Sequence, residues 1–273
     1  MVHFVGAGPG AKDLISVRGA NLLQQADVIV YAGSLVNPQL LEYAKKDALI
    51  YNSASMTLEE VIAVMEEAEQ RGAMTVRLHT GDPSIYGAIK EQMEELEQRH
   101  IAYELCPGIS SFCGAAASLG IEYTLPDVSQ SVIITRMEGR TAVPKSESIE
   151  SFAAHQATMV LFLSSGMLEE LAKRLIAGGY APDTPAAICY KATWPDEKKI
   201  LCTVQTLAER AREEGIQKTA LILVGNVVAA KEFRRSDLYH PDFTTEFRVG
   251  RNEQGKEKIE KADERKRRTR KEI

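Results

Sequence analysis

Short apolar runs alternate with amphipathic stretches through the first 120 positions, the pattern of strand followed by helix in a mostly parallel sheet. Val2-His3-Phe4-Val5, Val28-Ile29-Val30-Tyr31, Ala48-Leu49-Ile50-Tyr51, Met74-Thr75-Val76-Arg77-Leu78 and Ala102-Tyr103-Glu104-Leu105 read as strands. Helices are predicted between them over 16–26 with Ser16 as cap, over 38–44, from a Thr57/Glu60 capping box to Gly72, and from about Ala88 to Arg99. A small-residue helix follows Cys106-Pro107-Gly108. The second half reads as strands at 131–135, 158–163, 186–190, 199–203 and 220–224, with helices at about 167–177 and 205–214. That strand-rich order predicts a mixed sheet with some antiparallel pairing. The expected fold class is α/β in two domains, 1–119 and 131–245, joined by a linker at 120–130 and followed by a charged tail at 246–273.

Composition narrows the class. The 273 residues suffice for two domains with cores, and 44% hydrophobic with 26% charged residues describes a soluble globular protein. No apolar run approaches the roughly 20 residues of a bilayer span, and no signal peptide opens the chain, so the cytoplasm is the expected compartment. Cys106, Cys113, Cys189 and Cys202 have no paired spacing and are expected as buried, reduced thiols, with no metal site. Residues 250–273 hold ten Lys or Arg against six Asp or Glu, a surplus of four that leaves −9 on residues 1–249 out of the overall −5. The tail, with almost nothing apolar to bury, is expected to be disordered or a frayed helix; without interleaved aromatics, it is not expected to bind nucleic acid.

The candidate chemistry lies in the turns that end strands. Gly81-Asp82-Pro83-Ser84-Ile85-Tyr86-Gly87 must leave the sheet, because Pro83 has no N–H and Gly81 tolerates dihedrals closed to other residues; strand ends of this kind are where ligands bind in an open α/β sheet. An acid between Gly and Pro has few evident structural duties beyond its turn, so Asp82 is a candidate for meeting a cationic ligand. Pro107-Gly108-Ile109-Ser110-Ser111 repeats the logic, offering helix N–H groups and two hydroxyls. Gly6-Ala7-Gly8-Pro9-Gly10 departs from a dinucleotide fingerprint, since the last glycine falls on Ala11 and the second strand ends in Ala32-Gly33 without an acid; a structural crossing point is the other reading. The polar stretch after Arg136-Met137-Glu138-Gly139-Arg140 is long enough for a functional loop. The five histidines form no ligand spacing, His79 reads as a strand-end residue rather than a base, and no nucleophile elbow or phosphate loop is present. No residue is assigned a catalytic role.

Together, VGAGPG at 5–10, GDPSIYG at 81–87, PGISSF at 107–112 and LVGNVV at 223–228 resemble the tetrapyrrole (corrin and porphyrin) methyltransferases that use S-adenosylmethionine. The resemblance runs to about residue 240, and the stretch from Asp127-Val128-Ser129-Gln130 through Thr135-Arg136-Met137-Glu138-Gly139-Arg140 is similar to the branch acting on carbon 11 of precorrin-4 or cobalt-precorrin-4 in cobalamin synthesis. It implies two α/β domains with the donor in a cleft between them, release of S-adenosylhomocysteine, and a homodimer. By matching motif, it implies donor contacts from Pro9, Thr80, Gly81, Asp82, Ile85, Ser110 and Ser111, and from Leu163, Ala192 and Ala220 in the second domain. A sulfonium is already activated and a reduced tetrapyrrole offers an electron-rich carbon, so alignment and exclusion of water suffice. The carboxylates of such a substrate need local cations on an acidic body, with Arg18, Arg136, Arg140, Lys191 and Lys198 as candidates and Tyr86 beside them. The alternatives are the same fold acting on another tetrapyrrole, a protein or ribosomal RNA, and a nucleotide-binding oxidoreductase.

Overall fold

The computed structural model describes residues 1–251. The tail expected to be disordered lies, from residue 252 onward, outside the described residues. Five parallel strands form the first sheet: β1 (Val2–Gly6), β2 (Val28–Tyr31), β3 (Leu49–Asn52), β4 (Thr75–His79) and β5 (Tyr103–Cys106), in the spatial order β3-β2-β4-β1-β5. Both faces are covered, as parallel sheets require. Val5, Ile29, Val76 and Leu78 meet Leu23 of α1 (Val17–Gln25) and Leu40 of a 3-10 helix (Pro38–Tyr43), which occupies the helical stretch expected over 38–44. Val2, Phe4, Val28 and Val30 meet α2 (Leu58–Gln70) and α3 (Ile89–Gln98) on the other face. Ser16 caps α1, and the Thr57/Glu60 box forms with both of its hydrogen bonds.

The second sheet contains β6 (Val132–Arg136), β7 (Thr158–Phe162), β8 (Pro185–Tyr190), β9 (Lys198–Thr203) and β10 (Ala220–Val224), in the order β6-β7-β10-β8-β9. β6 pairs parallel with β7 and the remaining pairs are antiparallel, which is the mixed sheet expected from the strand-rich order. One face packs against α5 (Ile149–Ala153), α6 (Leu168–Ala177) and α7 (Leu207–Glu213). The short α5 falls inside the stretch read as a loop, with Ser148 accepting a hydrogen bond from Ser151 N as its cap.

The other face of the second sheet is covered from the first half of the chain. Ala115 of α4 (Ser111–Leu119) packs with Val160, Ala187 and Leu223, and Leu125 joins the same core. Residues 120–130 are therefore a packed connection: the Tyr123 hydroxyl donates to Phe112 O at 2.7 Å, and Thr158 Oγ1 donates to Tyr123 O at 2.9 Å. Of the four cysteines expected to be buried, Cys106 and Cys189 are, Cys202 is half-buried, and Cys113 is exposed because it stands on the outer side of α4. No helix among the described residues is long and apolar enough to cross a membrane.

Candidate functional site

β4, β1 and β5 lie side by side and run parallel, so the loops after Gly6, His79 and Cys106 leave the sheet at one edge. They cross in contact. A Cβ on Gly6 would fall 2.6 Å from Gly108 Cα and 2.7 Å from Gly81 O, so the three backbones meet at a distance only glycine permits. Gly81 N donates to Gly8 O at 2.9 Å and Gly8 N to Gly81 O at 3.2 Å, and Gly81 takes φ +59°. The Gly6 to Gly10 turn is thus the crossing point and no dinucleotide cradle. Its outer end packs on the second half, where a Cβ on Gly10 would meet the Trp194 ring at 2.0 Å, while Ala11 N donates to Thr193 Oγ1 at 3.0 Å.

Against this edge the second sheet presents the ends of β7 and β8 and the start of antiparallel β10, which carry Leu163, Lys191-Ala192 and Thr219-Ala220-Leu221. Between the two lies a cleft of ≈ 840 Å³, counted to its solvent-open mouth and within the range of small-molecule sites. Pro9, Thr80, Gly81, Asp82, Ile85, Ser110, Ser111, Leu163, Ala192 and Ala220 all line it, as do Tyr86 and Lys191. Leu35, Phe162, Ser165, Cys189, Trp194, Thr219 and Leu221 complete the lining without having been anticipated. Their sequence signal is weak, since Cys189 and Leu221 read as ordinary strand core; Trp194, the sole tryptophan, was the one distinctive residue. Backbone strain gathers here: Tyr86, Leu163, Lys191 and Thr219 have φ of 56°, 51°, 47° and 59°. Residues held in this sparsely populated region cluster at binding sites.

Asp82 has more structural work than its sequence position suggested. One carboxylate oxygen accepts from Ser84 N at 2.9 Å and from the Ser84 hydroxyl; the other accepts from Gly108 N at 2.8 Å and ties two cleft loops together. Partial burial pushes its pKa up, but these three donors outweigh it and hold the carboxyl below its ordinary value. Ser110 stands at the N-cap of α4 without a capping hydrogen bond from its side chain.

The candidate cations divide. Lys191 lines the cleft, but its ammonium pairs with Asp196 at 2.5 Å, which raises its pKa, and lies over the Tyr190 and Trp194 rings. Arg136 turns back on its own loop and donates to the carbonyls of Met137, Thr141 and Ala142, outside the cleft lining. Lys198 is engaged by Glu214 at 3.0 Å, also outside it. Arg18 and Arg140 are exposed and line no part of the cleft. Arg136 and Lys198 are satisfied by these partners and Arg18 and Arg140 by solvent, and none of the four lines the cleft, though Arg136 is near enough to Tyr86 to act on it electrostatically. His79 is buried beside Phe4, with burial and nearby Arg77 pushing its pKa down to about 3, so it stays neutral and apart from the cleft. The lining therefore offers apolar walls, hydroxyls and strand-end backbone, one carboxylate and no unpaired cation, a surface suited to a ligand that itself carries positive charge.

A family model described as Tetrapyrrole (Corrin/Porphyrin) Methylases matches residues 1–208. The chain is 54% identical over 247 residues to a cobalt-precorrin-4 C(11)-methyltransferase of Methanocaldococcus jannaschii, covering 90% of this chain and 95% of the relative. It is 45% identical over 253 residues to the protein of that description from Priestia megaterium, covering 91% and 98%. Among solved structures, the X-ray structure of a cobalamin biosynthetic enzyme, cobalt precorrin-4 methyltransferase, superposes with a TM-score of 0.82 at 46% identity, covering 84% of this chain and 96% of that one.

Proposed function

We propose that this chain, which belongs to the tetrapyrrole (corrin/porphyrin) methylase family, transfers a methyl group from S-adenosylmethionine to ring carbon 11 of precorrin-4 or cobalt-precorrin-4 in cobalamin synthesis. The observation that carries the reading is 54% identity along nearly the whole of a relative so described. The cleft supports it. S-adenosylmethionine supplies a sulfonium-activated methyl group, and a lining whose one ammonium is already paired does not repel that cation. Thr80, Gly81, Asp82 and Ile85 hold the methionine part, Ser110 and Ser111 contact the donor next, Pro9 lines the site, and Leu163, Ala192 and Ala220 contact the adenosine part. Tyr86 and Lys191, which line the same cleft, meet the tetrapyrrole in this reading. No protein nucleophile is needed, and the chain contributes alignment and a shielded cavity.

The units 1–119 and 131–245 are the two domains in this reading, one sheet in each, with α4 of the first reaching over the second. We further place the protein in the cytoplasm as a homodimer; Leu49 and Ile50 at one sheet edge, and Leu105 and Ile109 at the other, are exposed apolar residues available to a second copy. The test is mass spectrometry of product after incubation with S-adenosylmethionine and, separately, precorrin-4 and cobalt-precorrin-4. Addition of one methyl group, mapped to carbon 11 by isotope-labelled NMR, is the expected result. No methyl gain on either ring while the donor still binds would refute the substrate and keep the family.

A further inference from the structure

Beneath the Gly81 to Gly87 loop lies a cation that packing alone does not explain. Arg77 is 7% exposed at the centre of β4, and no carboxylate among the described residues is within ion-pair reach. An unpaired buried guanidinium is destabilising relative to an apolar residue of similar volume. Its Nη1 donates to Val30 O at 3.2 Å, and its Nε donates to Gln92 Oε1 at 2.9 Å. Gln92, itself 5% exposed on α3, is thereby oriented so that its other end, Nε2, donates to Ala88 O at 3.0 Å.

Ala88 is where the loop enters α3, and it does so without an ordinary cap. Its φ is 48° and its side chain can offer no capping hydrogen bond. Tyr86 is also left-handed, at φ 56°, and Gly87 between them presses on Pro83, where a Cβ would come within 2.1 Å of the carbonyl oxygen. Two strained residues in three persist only where their surroundings over-determine them. The turn delivers the Tyr86 ring to Phe162 at the end of β7, with centroids 5.4 Å apart and planes at 49°. This ring contact spans the cleft from the first sheet's loops to the second sheet, and both residues line the cavity.

We infer that Arg77 and Gln92 are positioning residues: through the Ala88 carbonyl they hold the 86–88 turn, so that Tyr86 reaches Phe162 and closes the cleft over the donor. The inference rests on the cleft being the donor site. Arg77 fixes which end of the Gln92 amide faces which partner, a task an apolar residue cannot do.

Gln92→Glu separates this role from simple packing. It keeps the acceptor for Arg77, now as a charge pair, and removes the donor to Ala88. Full-length protein is titrated with S-adenosylhomocysteine, read by Trp194 fluorescence, and unfolded in urea. The expected result is an unfolding midpoint equal to or above wild type with a Kd raised about three- to tenfold, the range of one lost hydrogen bond. Tyr86→Ala should raise Kd by a similar factor, and Gln92→Glu added to Tyr86→Ala should raise it no further, because the brace acts only through that ring. An unchanged Kd in Gln92→Glu, factors that multiply in the double variant, or a Kd that worsens only in step with lost stability would each overturn the inference. Wild type that fails to bind S-adenosylhomocysteine would overturn the donor reading, and the closure with it; normal wild-type binding beside an indifferent Gln92→Glu overturns the brace alone.

Discussion

Replacing Gly108 by Ala tests whether the crossing of three glycine backbones holds the cleft together. The added Cβ would sit 2.3 Å from Gly81 O, 2.7 Å from Gly6 Cα and 2.9 Å from Gly6 C, all backbone atoms that no rotamer change can move. To restore ordinary contact at about 3.5 Å, the loops must part by roughly 1 Å. Such overpacking costs about 1–3 kcal/mol in itself. The parting also strains the two Gly8–Gly81 hydrogen bonds and the bond from Gly108 N to Asp82, each worth about 1 kcal/mol. The expected loss is therefore about 3–5 kcal/mol, measured as the shift in urea midpoint at constant slope. Gly120→Ala is the control: Gly120 has φ +67° but nothing within 4 Å of a built Cβ, so only the left-handed conformation opposes the change, at about 1–2 kcal/mol. S-adenosylhomocysteine affinity should fall in Gly108→Ala and hold in Gly120→Ala. If both variants lose the same stability, the crossing is not a tight contact and the reasoning from it is wrong.

Three further outcomes follow from the site. Asp82→Asn should be nearly as damaging as Asp82→Ala, each weakening S-adenosylhomocysteine binding in a protein that still folds and costing about 1.5–3 kcal/mol, because an amide cannot accept from both the Ser84 and Gly108 sides; an Asn variant with wild-type stability and Kd would refute this. His79, depressed from 6.5 to about 3, binds its proton in the unfolded chain before the folded one, so stability is full above about pH 6.5 and falls as pH drops. Near pH 4 its share of the loss is about 3 kcal/mol, and urea midpoints for the non-titrating His79→Gln should show a correspondingly flatter acid limb. Trp194 is the only tryptophan and lines the cleft, so saturation with S-adenosylhomocysteine should change its emission; an unaltered spectrum with binding proven by calorimetry would move the donor elsewhere.

What the sequence disclosed was set by local backbone chemistry. Ser16 and the Thr57/Glu60 box act within a few residues of themselves, so their consequences are visible without the fold. The strand ends were visible for the same reason, whereas the ten residues that line one cleft were named as what the family resemblance implies. Phe162, Cys189 and Leu221 line it too, but a residue that ends a hydrophobic run looks alike whether it faces a core or a cavity. The short α5 is not legible because five residues hold a single i, i+4 pair, Ile149 and Ala153, too little to display a helical period, and its stability comes from burial of that pair against α6.

Charge was the least legible property, and the reason is general. A turn glycine answers to its own dihedrals, whereas a charged side chain answers to whatever partner folding brings within reach. Glu214, 16 positions away, takes Lys198; the carbonyls of its own loop take Arg136; and Gly108, 26 positions away, claims one oxygen of Asp82. Arg77 is the extreme case, read only as part of an apolar run in which it is in fact a buried cation held by an amide 15 positions on. Asp82 and Lys191, which local backbone holds at strand ends, line the cleft, whereas Arg136 and Lys198 are taken up by partners outside its lining.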